Sequence, residues 1–185
     1  MIPFYKYING YLCSASPLYD GYYDNNQFKM IYKDQLWFDL EMRGFSLLSQ
    51  KSYVPELLSV DLENLTLTFN WTNCKNINHI MHFDEELPSD WREQIKNIIE
   101  DLEMSNLYKI NLYPWTFYLK DLKIYAMDLY ACLPADDTIY KKDVYHILND
   151  KARFKFNDGI LDIYETYKYT LEHNVTSWLG KIIHD

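Results

Sequence analysis

The sequence predicts an α+β chain in which a small antiparallel sheet, interrupted by one helix, precedes a mainly helical part. Three observations carry this. Short aromatic and β-branched runs, "FYKYING", "DGYY" and "QFKMIYK", are separated by the turn signals "NG", "YDG" and "DNN" and read as antiparallel hairpins. From Asp34 the period changes, because Trp37, Leu40, Gly44, Leu47 and Leu48 recur at helical spacing. Further on, Trp91, Ile95, Ile98 and Leu102 form an apolar stripe on a second helix.

In chain order, Asp34 is placed to cap a helix that ends near Gln50. "VPELLSV" and "NLTLTFNW" then read as two strands around the turn Asp61-Leu62-Glu63-Asn64, the second alternating Leu65, Leu67 and Phe69 against Thr66, Thr68 and Asn70. The aperiodic "TNCKNIN" marks a boundary, which divides the chain into lobes of residues 1–76 and 77–185. Asp90 and Glu93 stand at capping-box spacing before the Trp91 stripe. "NLYKINLYPWTFYLKDLKIYAMDLY", residues 106–130, holds two short alternating runs around the turn Lys120-Asp121-Leu122-Lys123, with a lone Asp128 after the second. "KKDVYHILND" and "GILDIYETYKYTLEHNVTSWLGKII" close the chain with helical period, and Tyr164, Tyr167, Leu171, Val175 and Trp178 read as a core or partner-facing stripe.

Composition narrows the function. The 185 residues are 48% hydrophobic and 24% charged, long enough for a real core and ordinary except for 18 tyrosines. A formal net charge of -9 argues against a grip on nucleic acid or on an anionic membrane, since both need a basic patch. Cys13, Cys74 and Cys132 form no CxxC pair, and the N-terminus lacks the basic start and apolar run of a signal peptide, so a cytosolic setting is expected. His79 and His82 share a helical face, but the acidic residues that follow are equally well explained as a solvated loop.

The order of elements, together with residues 106–130, resembles the protein-kinase-like superfamily, including its aminoglycoside phosphotransferase branch. In that family a catalytic loop H-G-D-x-H-P-x-N precedes a hairpin that ends in a metal-binding Asp. Lys109-Ile110-Asn111 falls on H-G-D, Tyr113-Pro114 on H-P, Thr116 on the asparagine, and Asp128-Leu129-Tyr130 on D-F-G. The resemblance implies a two-lobed kinase-like fold with a reduced helical lobe. It also implies an ATP and Mg²⁺ site, with Asp128 holding the metal, Thr116 at the second ligand position and Asn111 at the position of the catalytic base. "MIYK" resembles the V-A-I-K strand, making Lys33 the phosphate-contacting lysine and Glu41 its ion-pair partner; the short interval between them favours Lys29 on the same strand as the alternative.

The departures from the pattern are chemical. An amide at Asn111 cannot accept a proton as a carboxylate does. The glycine-rich loop is reduced to Gly10 in "NGYLCSAS", and little chain remains for a peptide-binding subdomain. Three functions follow: a nucleotide-binding phosphotransferase of atypical kind, a pseudokinase scaffold that binds a partner protein, or an acidic inhibitor protein. For Asp128 the plain alternative is a strand-end carboxylate, and for Lys33 and Glu41 a solvated pair worth under about 1 kcal/mol.

Overall fold

Alternating burial along one central strand orients the first sheet. The computed structural model describes residues 5–8, 11–15, 18–24, 26–71, 74–82, 86–144, 154–172 and 178. Strands β1 (Tyr5–Ile8), β2 (Tyr11–Ala15), β3 (Tyr19–Asp24) and β4 (Gln27–Tyr32) form an antiparallel meander. After helix α1 (Gln35–Leu48), strands β5 (Leu57–Asp61) and β6 (Thr66–Asn70) complete a six-stranded sheet of order β1-β2-β3-β4-β6-β5. Along β4, Phe28, Met30 and Tyr32 are buried, while Lys29 is half-buried and Ile31 exposed. Phe28 and Met30 pair with Phe69 and Leu67 of β6, so one face of the sheet is a continuous apolar surface.

Helix α1 covers that face. Its N-cap is Asp34, whose Oδ1 accepts from the Trp37 amide at 3.2 Å. Phe45 stacks on Phe69 with ring centroids 5.2 Å apart, and Phe38 meets Tyr32 edge-on at 6.0 Å. Gly44, a helix-weakening residue in the middle of α1, faces the backbone of Leu129, where a Cβ would lie 2.5 Å from the carbonyl oxygen. The glycine is therefore what lets α1 reach the second half of the chain.

Sheet pairing changes after Trp71. Strand β7 (Lys75–Asn76) joins β9 (Phe117–Lys120) and β10 (Lys123–Ala126) in a three-stranded sheet of order β10-β9-β7. Strand β8 (Leu107–Lys109) pairs with β11 (Cys132–Pro134), and β12 (Phe156–Asn157) with β13 (Ile160–Leu161). Helices α2 (Ile77–His82), α3 (Trp91–Met104) and α4 (Ile163–Thr170) complete the described second half. One core cluster runs from Leu18 and Phe28 through Phe45, Ile95 and Phe117 to Ile163 and Tyr167, so both halves are built on the same interior. None of the described helices is long and apolar enough to cross a membrane.

Three local expectations are corrected. The last helix begins at Ile163 rather than near Gly159, because Asp158 (φ 51°) and Gly159 (φ 80°) form the two-residue turn of the β12–β13 hairpin, and Asp162 then caps α4 through the Glu165 amide. The Asp90 carboxylate makes no cap to α3 and instead accepts from Gln94 Nε2 at 3.1 Å. Gln94 in turn bonds the Leu122 carbonyl and the Ile124 amide, tying α3 to the β9–β10 hairpin. Within the apolar stripe of the last helix, Tyr167 is buried and Trp178 stacks on Trp91 at 5.9 Å, but Tyr164 is exposed. Lys141 to Val144 form a turn, and the rest of "KKDVYHILND" lies outside the described residues, as do Gly10, Val175 and the His82 side chain.

Candidate functional site

The stretch from Asn106 to Tyr130 folds around two turns. Asp121 (φ 48°) and Leu122 (φ 63°) are both left-handed, the geometry of a two-residue hairpin loop, and they set the register Lys120↔Lys123 to Phe117↔Ala126. A 3-10 turn, Pro114–Thr116, leads into β9, and a second, Leu129–Ala131, leads out of β10. Asp128, between β10 and the second turn, is itself left-handed at φ 58° and ψ 54°. A non-glycine residue held there is uncommon, and it turns the carboxylate into the interior, where Asp128 is 6% exposed.

Four segments converge around Asp128. From β3, the Tyr19 hydroxyl donates to Asp128 Oδ1 at 3.0 Å. The Tyr19↔Tyr32 register places Tyr32 alongside with ring centroids 5.6 Å apart, and the Tyr32 hydroxyl faces Glu41. From α1, Glu41 is fully buried and accepts the backbone amides of Leu129 (Oε1, 3.1 Å) and Tyr130 (Oε2, 2.8 Å). From β8, Lys109 is 1% exposed, and its ammonium donates to Asn111 Oδ1 (2.7 Å), the Met127 carbonyl (2.6 Å) and the Asp128 carbonyl (3.3 Å). Strand pairing of Lys109 with Cys132 brings this lysine to the turn that carries Asp128.

Of the residues singled out in the sequence, Glu41, Asn111, Thr116 and Asp128 therefore come together, and Lys29 and Lys33 do not. Alternation along β4 decides this: Phe28, Met30 and Tyr32 face α1, and Lys29 faces the other way. Lys33, just past the strand, pairs with Asp20 at 3.2 Å, both side chains about half exposed. The expected partner of Glu41 is replaced by the two backbone amides. Thr116 is buried, and its hydroxyl donates within its own loop, to the carbonyls of Asn111 (2.9 Å) and Tyr113 (3.0 Å). Asn111 presents its amide oxygen to Lys109 and its Nδ2 to the Tyr130 hydroxyl at 3.4 Å.

Tyr19, Tyr32 and the inward role of Lys109 were missed at the level of sequence. For Lys109 a signal existed, since Leu107 and Lys109 share one strand parity and a strand with a buried leucine carries its i+2 neighbour inside. For Tyr19 and Tyr32 there was none in a chain with so many tyrosines.

The electrostatics follow from burial. Two carboxylates and one ammonium share a dry volume, so ionising both acids leaves an uncompensated charge. Burial, then the charge of Asp128, push the Glu41 carboxyl up to about 7, against the pull of its two backbone amides and Lys109. Burial also raises Asp128, opposed by Lys109 and by the Tyr19 hydroxyl. Tyr19, Tyr32 and Tyr130 are all held well above the ordinary phenol value, chiefly by burial and in part by Asp128, with Glu41 adding to it for Tyr32 and Tyr130. Burial lifts the Cys74 and Cys132 thiols to about 11, so neither is a thiolate at neutral pH.

As arranged, the oxygens at Asp128 and Asn111 are engaged within the chain and do not form an open magnesium site. Asp128 turns Oδ1 to the Tyr19 hydroxyl, and the amide oxygen of Asn111 is taken by an ammonium. A divalent ion beside that ammonium would meet its repulsion as well as the attraction of Asp128. Among the described residues no group of three or more His, Cys, Asp or Glu is placed to hold a metal.

No protein-family model and no curated protein matches the chain. Solved structures do match. A crystal structure of monomeric WbdD aligns over 88% of this chain and 43% of WbdD, with a TM-score of 0.51 and 12% identity. A complex of WbdD with a kinase inhibitor aligns over 64% of this chain and 32% of WbdD, at 0.50 and 11%. A choline/ethanolamine kinase family protein from Mesorhizobium loti aligns over 65% of this chain and 58% of its own length, at 0.44 and 7%. The chain thus spans less than half of WbdD, and the likeness is one of fold: a kinase-like α+β architecture with antiparallel sheets and few helices.

Proposed function

We propose that this is a kinase-like protein that does not transfer phosphate, a pseudokinase in which the residues at the catalytic positions lock the two halves together and the exposed surface binds a partner protein. The observation that carries the reading is the engagement of Asp128: a buried carboxylate bonded to Tyr19, beside an ammonium already in place, with Met30 and Tyr32 on the strand face where a phosphate-contacting lysine is expected. Asn111 in the base position points the same way, because an amide cannot take the proton of an acceptor hydroxyl. For the partner, the support is edge strand β5 and its turn, where Leu58, Val60 and Leu62 are all exposed.

A second reading, an atypical Mg²⁺- and ATP-dependent phosphotransferase, is favoured by one observation, the likeness to WbdD in complex with a kinase inhibitor. Thermal unfolding in millimolar ATP, with and without Mg²⁺, and radiolabelled phosphate transfer separate the two. The non-catalytic reading expects no saturating shift and no transfer, and none is restored by Asn111→Asp. Robust transfer by the unmodified chain that Asp128→Ala abolishes refutes it and establishes the second.

A further inference from the structure

A buried ammonium needs acceptors for its three protons and a negative field to offset the loss of water. Lys109 has both. Asn111 Oδ1, the Met127 carbonyl and the Asp128 carbonyl match its donors, and the Phe117 ring closes another side with its centroid 5.8 Å from Nζ. None of these acceptors is charged, so compensation acts through space, between the ammonium and the carboxylates of Asp128 and Glu41. The arrangement is built to hold the charge in place. Asn111 is oriented by the Tyr130 hydroxyl, Tyr130 is anchored through its amide by Glu41, and Met127 is pinned by its amide to the Thr116 carbonyl at 2.9 Å.

The same atoms have a second chemistry. Two backbone carbonyls and a side-chain amide oxygen are ligand types that hard divalent cations take, and the residue that supplies one of those carbonyls also carries the Asp128 carboxylate. We propose that Lys109 is a tethered counter-ion: its ammonium supplies, from within the chain, the positive charge that a divalent cation would bring to Asp128. Removing the side chain without refilling its space then turns the socket of Asn111, Met127 and Asp128 into a divalent-cation site. This deepens the non-catalytic reading above and rests on it in one respect, that the unmodified chain holds no metal at Asp128.

The test uses the full chain and Mn²⁺ alone as the probe. Wild type, Lys109→Ala and Lys109→Met are refolded from urea with and without Mn²⁺, and followed by thermal unfolding and by the Mn²⁺ electron paramagnetic resonance signal. The wild type is expected to bind no ion and to melt at the same temperature in both buffers. Lys109→Ala is expected to melt lower, to bind one Mn²⁺ per chain, and to recover about 5 °C or more at a hundredfold excess over Kd. Adding Asp128→Asn abolishes that binding. Lys109→Met, whose side chain fills the space without charge, is expected to melt below the wild type and to ignore Mn²⁺.

A wild-type chain that binds one Mn²⁺, lost in Asp128→Asn, overturns the inference. So does a Lys109→Ala chain that binds no ion, including one that stays unfolded when refolded with Mn²⁺, and so does a Lys109→Met chain as stable as the wild type. Robust phosphate transfer by a wild type that binds no Mn²⁺ would instead sink the non-catalytic reading while leaving the Mn²⁺ results untouched.

Discussion

Replacing Gly44 by alanine tests how α1 delivers Glu41 to the turn that carries Asp128. The new Cβ would sit 2.5 Å from the Leu129 carbonyl oxygen, 2.7 Å from Leu129 Cβ and 2.8 Å from its carbonyl carbon, whereas ordinary contact begins at 3.4 Å. Helix and turn must therefore separate by about 0.6 to 0.9 Å, and two of the three atoms in the way are backbone. The displacement falls on the bonds from Leu129 and Tyr130 to Glu41, now 3.1 and 2.8 Å, and stretches them past useful length. Overpacking of this kind costs about 1 to 3 kcal/mol, and weakening two bonds to a charged acceptor adds a comparable amount. Alanine's better helix propensity returns about 1 kcal/mol. The expected net loss is about 3 kcal/mol, or roughly 6 to 12 °C in Tm for a chain of this length. Equilibrium urea unfolding measures it, with Ser46→Ala, at an exposed site on the same helix, as the propensity control that should gain a few tenths of a kcal/mol. A Gly44→Ala chain as stable as the wild type would refute the close approach of α1 to Leu129.

Three further outcomes are expected. Glu41 has its carboxyl raised from 4.5 to about 7, so the folded state binds the extra proton; the stabilisation is complete below about pH 4.5 and lost as pH rises to about 7, a fall on the order of 3 kcal/mol. Urea midpoints between pH 5 and 8 should show this fall, and Glu41→Gln should remove most of it; a flat wild-type profile would contradict the assignment. Tyr19→Phe takes away the donor to Asp128 Oδ1 and should cost about 1.5 to 3 kcal/mol, with a double-mutant cycle against Asp128→Asn showing that most of the loss is shared. Arg43 grips Asp137 with one guanidinium nitrogen at 2.7 and 2.8 Å from the two carboxylate oxygens, so Arg43→Ala should cost no more than about 1 kcal/mol, and the difference should shrink in high salt because the arginine is 44% exposed.

The hairpin from Phe117 to Ala126, the capped α1 and the stripe of α3 were legible because each depends on local chemistry: turn residues, an N-cap and apolar repeats at fixed spacing. Glu41, Asn111, Thr116 and Asp128 came into consideration together through the resemblance to the kinase-like motif rather than through those local rules. The resemblance misled for the lysines, where a motif match overrode strand parity. The alternation that buries Phe28, Met30 and Tyr32 puts Lys29 on the opposite face from α1, and burying three apolar side chains outweighs placing one charge. The local rules failed at Gly159, where helical spacing hid a two-residue turn.

What the sequence by itself determined is the set of elements and the nearness along the chain of Asn111, Thr116 and Asp128, since period and turn chemistry act over a few residues. Which groups answer Asp128 was decided only by tertiary structure. Tyr19 lies 109 residues away on the first sheet, Glu41 reaches the turn because Gly44 lets the helix approach, and Lys109 arrives through pairing with Cys132. Long-range packing sets those distances, and in a buried site distance decides whether a carboxylate meets a hydroxyl, an ammonium or an ion.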